Sequence, residues 1–324
     1  MLNLEGKTVV ITGSTGFLGK RLCKYLRSRN VYVVEIKHAD CDLTDYSDTL
    51  YFFQNARPDY VIHAAALTGN VKFNSERPVE VLMSNTMMNS NVLRASHKTR
   101  AKKVVGILSS CAFSSDYEVL EPEHINVGVP HPSIRAFGDS KRYLWQLSQY
   151  YRSQYKMNCI TVCPTGLYGD GCGFDLEKNK VLESLVKRIG DAYLDGEQTV
   201  KLWGNGKAKR QFIYVDDAAK LITFALETYE DGIRPMLFGT EDEYSIRVLA
   251  EMIAEKIGFD GDIVFDTTMP DGQLRKKLST TQLRELYPAF QLTPFSVGLK
   301  RLIDSYFNTK KDTKCSNSAL PLTA

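Results

Sequence analysis

Residues 8–19 read Thr-Val-Val-Ile-Thr-Gly-Ser-Thr-Gly-Phe-Leu-Gly, a β-branched apolar run that leads directly into three glycines spaced three residues apart. Gly13, Gly16 and Gly19 permit a tight turn from strand to helix, close approach of the backbone to a pyrophosphate, and close packing of the helix on the strand. The helix that follows would direct its free N–H groups at the phosphates. The stretch therefore predicts a dinucleotide site; the alternative is a structural turn in another kind of α/β protein.

The first half of the chain alternates between strand-like and helix-like segments. Short runs rich in Val and Ile are separated by longer segments of helical length and period. This alternation is typical of a doubly wound parallel sheet of the Rossmann type. The predicted strands are residues 8–11, 31–36, 59–65, 103–109 and 159–163.

The pattern loosens after Pro164, where glycine-rich loops and short strands appear. We therefore expect a smaller C-terminal α/β lobe that binds substrate and closes over the cofactor domain. The predicted division is a dinucleotide-binding domain at 1–165, to which 211–230 returns, a substrate lobe at 166–210 and 231–307, and a disordered tail at 308–324.

The composition argues against several classes of protein. The 324 residues carry a net charge of only +3, with Lys and Arg scattered among acidic residues, so we expect no nucleic-acid partner. No apolar run reaches membrane-spanning length and the first residues do not resemble a secretion signal, so we expect no membrane contact. Seven cysteines without a C-x-x-C pair offer neither an obvious zinc site nor a disulfide framework. These features fit a cytoplasmic protein without a metal.

The end of the second predicted strand indicates which cofactor is bound. An acidic residue there usually holds the ribose 2′-OH of NAD, whereas basic residues suit the 2′-phosphate of NADP. In this chain Glu35 lies inside the strand, and Lys37 and His38 follow it. The arrangement favours NADP, although Lys37 could be only a solvated loop residue.

Two further segments fit the same cofactor. In Asp42-Leu43 the carboxylate could accept from the exocyclic amine of adenine while the leucine packs on the ring. The third strand ends in His63-Ala64-Ala65-Ala66, whose small side chains allow the cofactor to approach the backbone.

Taken together, these motifs resemble the extended short-chain dehydrogenase/reductases, and later segments resemble the GDP-L-fucose synthase family within them. The general motifs are Thr12-Gly-Ser-Thr-Gly-Phe-Leu-Gly19, Asp42-Leu43, His63-Ala-Ala-Ala66, Asn85, Ser109-Ser110-Cys111 and Pro164-Thr-Gly-Leu-Tyr-Gly169. The narrower ones are Trp203-Gly-Asn-Gly-Lys-Ala-Lys-Arg-Gln-Phe-Ile-Tyr-Val-Asp216, Phe265-Asp-Thr-Thr-Met-Pro-Asp-Gly-Gln273 and Leu292-Thr-Pro-Phe295.

The resemblance implies an activity, a cofactor and a partner. The family epimerises C3 and C5 of GDP-4-keto-6-deoxymannose and then reduces C4 with NADPH, which gives GDP-L-fucose. It also implies a homodimer formed through the helices near 79–97 and 137–155, which carry the apolar residues Leu82, Met87, Val92, Tyr143, Leu147 and Tyr150. Some of these side chains must face the sheet, so the pattern only permits a dimer. The predicted cofactor contacts are Gly13, Gly16, Phe17, Leu18, Gly19, Lys37, His38, Asp42, Leu43, Ala64, Ala65 and Lys141.

The family's reduction step needs three groups, and this chain has two of them. A Tyr-x-x-x-Lys pair supplies a phenolic proton donor and a lysine that holds the nicotinamide ribose, and a serine steadies the oxyanion. Lys141 and Ser109 match the lysine and the serine, but Phe137 stands at the tyrosine position. Loss of a positioned general acid typically costs about 10²- to 10⁴-fold in rate. The nearest other donors by sequence are Ser110, Asp139 and Tyr143, of which the last two project from other faces of the helix.

The epimerisation step also departs from the family pattern. The family uses a cysteine base and a histidine acid on opposite faces of the sugar ring. Cys111 matches the cysteine, but Lys180 stands at the histidine position. A lysine ammonium ordinarily keeps its proton well above neutral pH, which makes it a poor acid there. Cys111 could instead be only a small buried residue at the end of a strand.

The nucleotide clamp is retained better than the sugar site. Arg188 and Arg210 match the family positions that bind the GDP phosphates, where a forked guanidinium suits phosphate oxygens. Trp203 would stack on the guanine or only pack the small lobe, and Asp271 is a further candidate substrate contact. Two family residues of the sugar site are replaced. Gly166 in Pro164-Thr165-Gly166 stands where the family has asparagine, and Met269 in Thr268-Met269-Pro270 stands where it has lysine.

Three interpretations remain open on the sequence. The chain is an active NADP-dependent epimerase/reductase of a GDP-4-keto-6-deoxy sugar with a rearranged acid. Alternatively, it is a catalytically impaired nucleotide-binding relative that acts as a regulatory or partner subunit. As a third reading, it is an enzyme for a different GDP-keto sugar whose ring does not need the lost groups.

Overall fold

The computed structural model describes residues 2–176, 180–268 and 272–317. The strands are β1 (Thr8–Thr12), β2 (Tyr32–Ile36), β3 (Tyr60–His63), β4 (Lys103–Ile107), β5 (Cys159–Pro164), β6 (Gly166–Tyr168), β7 (Thr199–Trp203), β8 (Lys209–Arg210), β9 (Phe212–Tyr214), β10 (Met236–Phe238), β11 (Tyr244–Ser245), β12 (Asp262–Asp266) and β13 (Arg275–Lys276). The α-helices are α1 (Phe17–Arg27), α2 (Tyr46–Ala56), α3 (Val71–Glu76), α4 (Pro78–Lys98), α5 (Arg135–Tyr155), α6 (Val181–Asp195), α7 (Val215–Thr228), α8 (Ile246–Ile257), α9 (Thr281–Leu286) and α10 (Phe295–Asn317).

The main sheet is parallel and has six strands in the order β2-β1-β3-β4-β5-β10. Strand β2 lies on one side of β1, and β3, β4, β5 and β10 follow in order on the other side. The strand order therefore reverses between β1 and β3, where Thr12 pairs with Ile36 and with His63. In open α/β sheets the crevice at the carboxyl end of such a switch point is where ligands bind. The predicted doubly wound parallel sheet is confirmed.

Helices cover both faces of this sheet. Leu22 of α1 and Leu221 of α7 are buried in the core on one face. Phe53 of α2, Val92 of α4 and Leu144 of α5 are buried in the core on the other. Burial on both faces explains why the inner strands are continuous apolar runs rather than alternating patterns.

In the described residues the C-terminal lobe contains small two- and three-stranded sheets and the helices α6, α8 and α10. Strands β6 and β9 pair, β7 and β12 pair, and β8 lies between β11 and β13. Helices α6, α8 and α10 bury their apolar faces together, with Leu185, Ile253 and Leu302 in the shared core. This lobe places β8 and β13 above the carboxyl end of the main sheet.

Two of the expected boundaries differ in the structure. Residues 236–238 were assigned to the substrate lobe, but they form β10, which pairs with β5 at the edge of the main sheet. The tail was expected to be disordered from residue 308, but α10 continues to Asn317. One reason is that Lys310 pairs with Asp191 of α6 at 2.6 Å, which holds the helix against the lobe. Residues 318–324 lie outside the described residues.

None of the helices in the described part of the chain is both long enough and apolar enough to cross a membrane.

Candidate active site

The glycine turn is a backbone cradle at the end of β1. Gly13 has a φ of +68°, and a Cβ placed on it would lie 2.8 Å from Cα of Ala65. A Cβ on Gly19 would overlap the carbonyl of Gly13, so α1 approaches the turn as closely as backbone allows. Gly16 is the N-cap of α1 in an extended conformation, with no side chain bonded to the helix terminus. The amides of Phe17 and Leu18 at the start of α1 therefore suit an anionic pyrophosphate.

A buried hydrogen-bond network fixes this cradle to the rest of the site. His63 Nδ1 lies 2.8 Å from Thr12 Oγ1, and His63 Nε2 lies 2.9 Å from Asn89 Oδ1. Asn89 Nδ2 donates to the carbonyl of Ser140, the residue before Lys141, at 2.9 Å. Burial, followed by the nearby Lys141 cation, lowers the pKa of His63 to about 3, so its imidazole is neutral. The network makes His63 a structural link between β1, α4 and α5, a role that the sequence did not predict.

The surroundings of β2 fit a cofactor with a 2′-phosphate. Glu35 is paired with Arg27 of α1, so its carboxylate is engaged away from the strand's end. Lys37 and His38 follow β2 and are exposed. Ser14 ties the glycine turn to the same place, because its hydroxyl donates to the carbonyl of Ile36 at 2.9 Å. The contact of Lys37 and His38 with a 2′-phosphate stays a prediction.

The other predicted adenine and ribose contacts lie around this edge. Asp42 Oδ1 accepts from the amide and the hydroxyl of Thr44 at 2.9 and 2.7 Å, so this carboxylate shapes its own turn. Leu43 is buried beneath it. The backbone of Ala64 and Ala65 lies directly against Gly13. The proposed contact of Asp42 with adenine stays a prediction.

Ser109 and Lys141 lie where β4 ends. Ser109 Oγ accepts the amide proton of Cys111 at 3.3 Å, and the Ser109 hydroxyl in turn hydrogen-bonds the Cys111 side chain, which favours the thiolate. Lys141 Nζ donates to the carbonyl of Ile107 at 2.8 Å and is almost fully buried. Burial lowers the pKa of Lys141 to about 8.

Phe137, at which the resemblance implies a proton donor, lies close to Lys141. Its ring is 7% exposed, and its centroid lies 5.7 Å from Lys141 Nζ. The nearby donors on α5 are turned to other partners. Asp139 pairs with Arg135 at 3.4 Å, and the hydroxyl of Tyr143 lies 2.9 Å from Ser90 Oγ on α4. Neither residue replaces the missing phenol.

Cys111 lies among cations from both lobes. Lys276 of β13 places its Nζ 3.4 Å from Cys111 Sγ. Burial alone would raise the pKa of the Cys111 thiol, but Lys276, Ser109 and Lys180 together outweigh burial and lower it. The sequence did not predict Lys276, because 165 residues separate it from the cysteine.

A second lobe cation, Arg210, stands beside Lys276. The two residues are paired across β8 and β13, and Arg210 also interacts electrostatically with Cys111. Burial lowers the pKa of Arg210 slightly, although Cys111 and Glu243 act against that shift. His131 lies close enough for Lys276 and Arg210 to reinforce the effect of burial in lowering its pKa. The sequence analysis did not identify His131, because a single histidine in a connecting segment carries no local pattern.

Two of the predicted nucleotide residues, Arg188 and Trp203, contact each other. The guanidinium of Arg188 lies 5.4 Å from the ring centroid of Trp203. Half of the Trp203 surface is exposed, so one part of the side chain packs in the lobe and the other is open to a ligand. Its stacking on a base stays a prediction. Asp271 and Met269 lie outside the described residues.

The local packing explains why residue 166 is a glycine. A Cβ at this position would lie 2.7 Å from the carbonyl of Gln211. The Gln211 side chain is itself buried, and its Oε1 accepts the amide proton of Leu278 at 2.8 Å. Gln211 therefore joins the end of β5 to the segment that carries Lys276.

Comparisons with known proteins agree with this geometry. The NAD dependent epimerase/dehydratase family matches residues 9–238. The chain belongs to this family. A GDP-L-fucose synthase from Dictyostelium discoideum is 33% identical over 317 residues, covering 94% of this chain and 98% of that protein.

A solved structure and a more distant relative extend the comparison. The crystal structure of an NADP-bound GDP-L-fucose synthetase from Naegleria fowleri superposes with a TM-score of 0.85 at 30% identity, covering 95% of this chain and 96% of that one. A GDP-L-colitose synthase from Yersinia pseudotuberculosis is 26% identical over 86% of this chain and 91% of that protein. The resemblance to the GDP-L-fucose synthases is confirmed over nearly the whole chain of this epimerase/dehydratase.

Proposed function

We propose that this epimerase/dehydratase binds NADP(H) and epimerises a GDP-4-keto-6-deoxy sugar through Cys111, with a 4-reduction that is slow because Phe137 replaces the proton donor. The observation that carries the proposal is the convergence of Cys111, Ser109 and Lys141 at the carboxyl end of β4, next to a glycine cradle. Two features support NADP(H) as the cofactor. The glycine cradle fits a pyrophosphate, and Lys37 and His38 follow β2, where a 2′-phosphate is expected.

The cofactor would be held by residues from two edges of the switch point. The cradle at Gly13, Gly16 and Gly19 fits a pyrophosphate, because side chains there would fill the space or overlap backbone. Lys37 and His38 would meet the 2′-phosphate, and Lys141 would meet the nicotinamide ribose. When bound, NADPH supplies a hydride for C4 of the sugar.

The residues of the chain account for the proton transfers. Protons on C3 and C5 are acidic because both carbons flank the 4-keto group. The Cys111 thiolate takes such a proton. The Ser109 hydroxyl, which hydrogen-bonds the thiolate before the step, then donates to the charged C4 oxygen instead. Lys180 is the candidate donor that returns a proton from the other face. Reduction at C4 needs a further proton at the oxygen, and Phe137 has none to give.

Incubation of the protein with NADPH and GDP-4-keto-6-deoxymannose in D₂O tests the proposal. We expect deuterium to enter C3 and C5 faster than NADPH is consumed. Cys111→Ser should abolish deuterium uptake while leaving NADPH affinity unchanged. Rapid NADPH consumption by the unmodified protein would contradict the assignment of Phe137 as the cause of slow reduction.

A second candidate function is a nucleotide-binding regulatory or partner subunit. The observation in its favour is that the cofactor cradle is intact while Phe137 and Lys180 depart from the family pattern in the sugar site. This candidate predicts tight binding of NADPH and of GDP with neither deuterium uptake nor NADPH consumption. The same incubation therefore separates the two candidates.

A further inference from the structure

The contact between Lys276 and Cys111 joins the two lobes at the predicted base. Cys111 belongs to the segment that follows β4 of the main sheet, and Lys276 belongs to β13 of the small lobe. Their Nζ and Sγ atoms are 3.4 Å apart. We infer that Lys276 is the positioning residue that keeps Cys111 as a thiolate. Its catalytic meaning rests on the proposed function, in which that thiolate is the base.

The strand that carries Lys276 is fixed on both sides. On one side, Arg275 forms ion pairs with Glu243 at 2.8 Å and with Glu118 at 3.3 Å. On the other side, Leu120 donates its amide proton to the carbonyl of Lys277 at 2.7 Å and accepts from the amide of Ser279 at 2.9 Å. Leu120 lies nine residues after Cys111 in the same connecting segment. The contacts thus bind β13 to the segment that holds the cysteine, so the position of the ammonium does not depend on a flexible loop.

The charges around Cys111 are mostly positive. The titratable groups that interact with it are Lys276 of β13, Arg210 of β8, Lys180 before α6, Lys141 of α5 and the thiol of Cys163 on β5. Lys276 is the cation in direct contact with the sulfur, and its charge is the largest influence that opposes burial. An opposite charge at this range typically moves a pKa by about 1–3 units.

The other cysteines of the described structure behave in the opposite way. Burial raises the pKa of Cys23 and Cys41 to about 11, and that of Cys159 and Cys172 to about 12. Cys163 shifts in the same direction. Cys111 is the one thiol in this set whose pKa is lowered, so a thiol-directed reagent near neutral pH should select it.

The charge balance of the step explains why a fixed cation is useful. Before the step the thiolate is negative and the Lys276 ammonium is positive. The sulfur takes the proton from the sugar carbon, the C–H electron pair moves into the enolate, and the negative charge moves to the C4 oxygen. Lys276 keeps its proton throughout, so it acts through Cys111 and does not donate to the sugar.

The pH dependence of alkylation tests this inference without any substrate. Purified full-length protein is treated with iodoacetamide from pH 5 to 10, and modification of the Cys111 peptide is followed by mass spectrometry. In Lys276→Met we expect the midpoint to rise by about one pH unit or more, with roughly tenfold slower modification at pH 7. Lys276→Arg should keep most of the wild-type profile. Lys277→Met removes the same charge one residue along the chain and should leave the midpoint unchanged.

Two results would overturn the inference. One is an unchanged midpoint in Lys276→Met with NADPH affinity and melting temperature as in the wild type. The other needs no variant: a wild-type midpoint at or above about 8.5, the value of a free cysteine. If Lys276→Met moves the midpoint but the wild-type protein does not exchange sugar protons, the inference holds and the proposed function fails. If sugar protons exchange but the midpoint does not move, the reverse is true.

Discussion

The ammonium nitrogen of Lys141 lies 5.7 Å from the ring centroid of Phe137, one helical turn away on α5. Lys141 Nζ donates to the carbonyl of Ile107 at 2.8 Å, and Phe137 is 7% exposed. Both side chains are therefore held in place one helical turn apart, the spacing that the resemblance implies for the lysine and the tyrosine. At this pair of positions the predicted difference from the family is one hydroxyl.

Phe137→Tyr should restore the missing proton donor. We expect the rate of NADPH-dependent reduction of GDP-4-keto-6-deoxymannose to rise by about two orders of magnitude, the scale of one general acid. Affinity for NADPH should barely change, because the ring and backbone stay in place. The measurement is the initial rate of NADPH absorbance loss beside a fluorescence titration of the cofactor.

A matched pair of variants shows whether the phenol is the cause. Phe137→Tyr combined with Lys180→His should raise the rate further if the altered epimerisation site also limits turnover. Phe137→Leu, which adds no hydroxyl, should leave the rate at its wild-type level. The prediction would be contradicted if Phe137→Tyr bound NADPH as tightly as the wild type but reduced the sugar no faster.

The local features of the site could be read from the sequence, and the contacts between distant segments could not. The glycine cradle is one short stretch in which spacing alone specifies the turn. Lys276 is 165 residues from Cys111, and no local pattern connects them. Strand β10 has only three residues, Met236–Phe238, too few to show the period of a strand. The extension of α10 past residue 308 depends partly on Asp191, which lies on another helix.

Lys37 and His38, which follow β2, predict that the protein prefers NADPH to NADH. Lys37→Met combined with His38→Ala should weaken NADPH binding about tenfold or more, the scale of one lost charge-assisted hydrogen bond. Affinity for NADH, which has no 2′-phosphate, should be unchanged and serves as the internal control. The measurement is fluorescence titration with both coenzymes. Equal wild-type affinity for the two would remove the roles assigned to Lys37 and His38.

The exposed side of α4 predicts self-association. Val79, Leu82, Met83 and Met87 fall on one helical face and are 37–69% exposed. Tyr150 of α5 is 67% exposed. Val92 is one of the residues of the set that face the sheet: it is buried, since it lies on the opposite face of α4.

Light scattering at micromolar concentration should give twice the mass of a single chain. Met83→Glu combined with Met87→Glu should convert the protein to monomers, because two charges would be buried at the contact. Val248→Glu places the same charge on an exposed apolar residue of α8 and should leave the dimer intact. A wild-type protein with the mass of one chain would contradict the prediction.

The buried carboxyl of Glu183 should make the free energy of unfolding decrease as pH rises. The residue lies in the first turn of α6, is 5% exposed, and its Oε2 has no hydrogen-bond partner within the described part of the chain. Burial raises the pKa of this carboxyl, with the cation of Lys180 acting weakly in the other direction. The folded state therefore holds its proton at pH values where the unfolded chain has released it. Linkage then requires the free energy of unfolding to decrease as pH rises from the unfolded pKa to the folded pKa.

Glu183→Met should remove this loss while filling the same space. We expect the variant to be more stable than the wild type at pH 7 by about 1–3 kcal/mol, the cost of a buried polar group without a partner. The gain should shrink as pH falls toward about 4.3, the ordinary pKa of a glutamate, because the unfolded chain then takes up the proton that the folded state already holds. Glu255→Met changes an exposed carboxylate of α8 and should give no such pH-dependent gain. Urea unfolding from pH 4 to 8 measures both variants, and a Glu183→Met gain that is constant across this range would show that the carboxyl does not titrate as proposed.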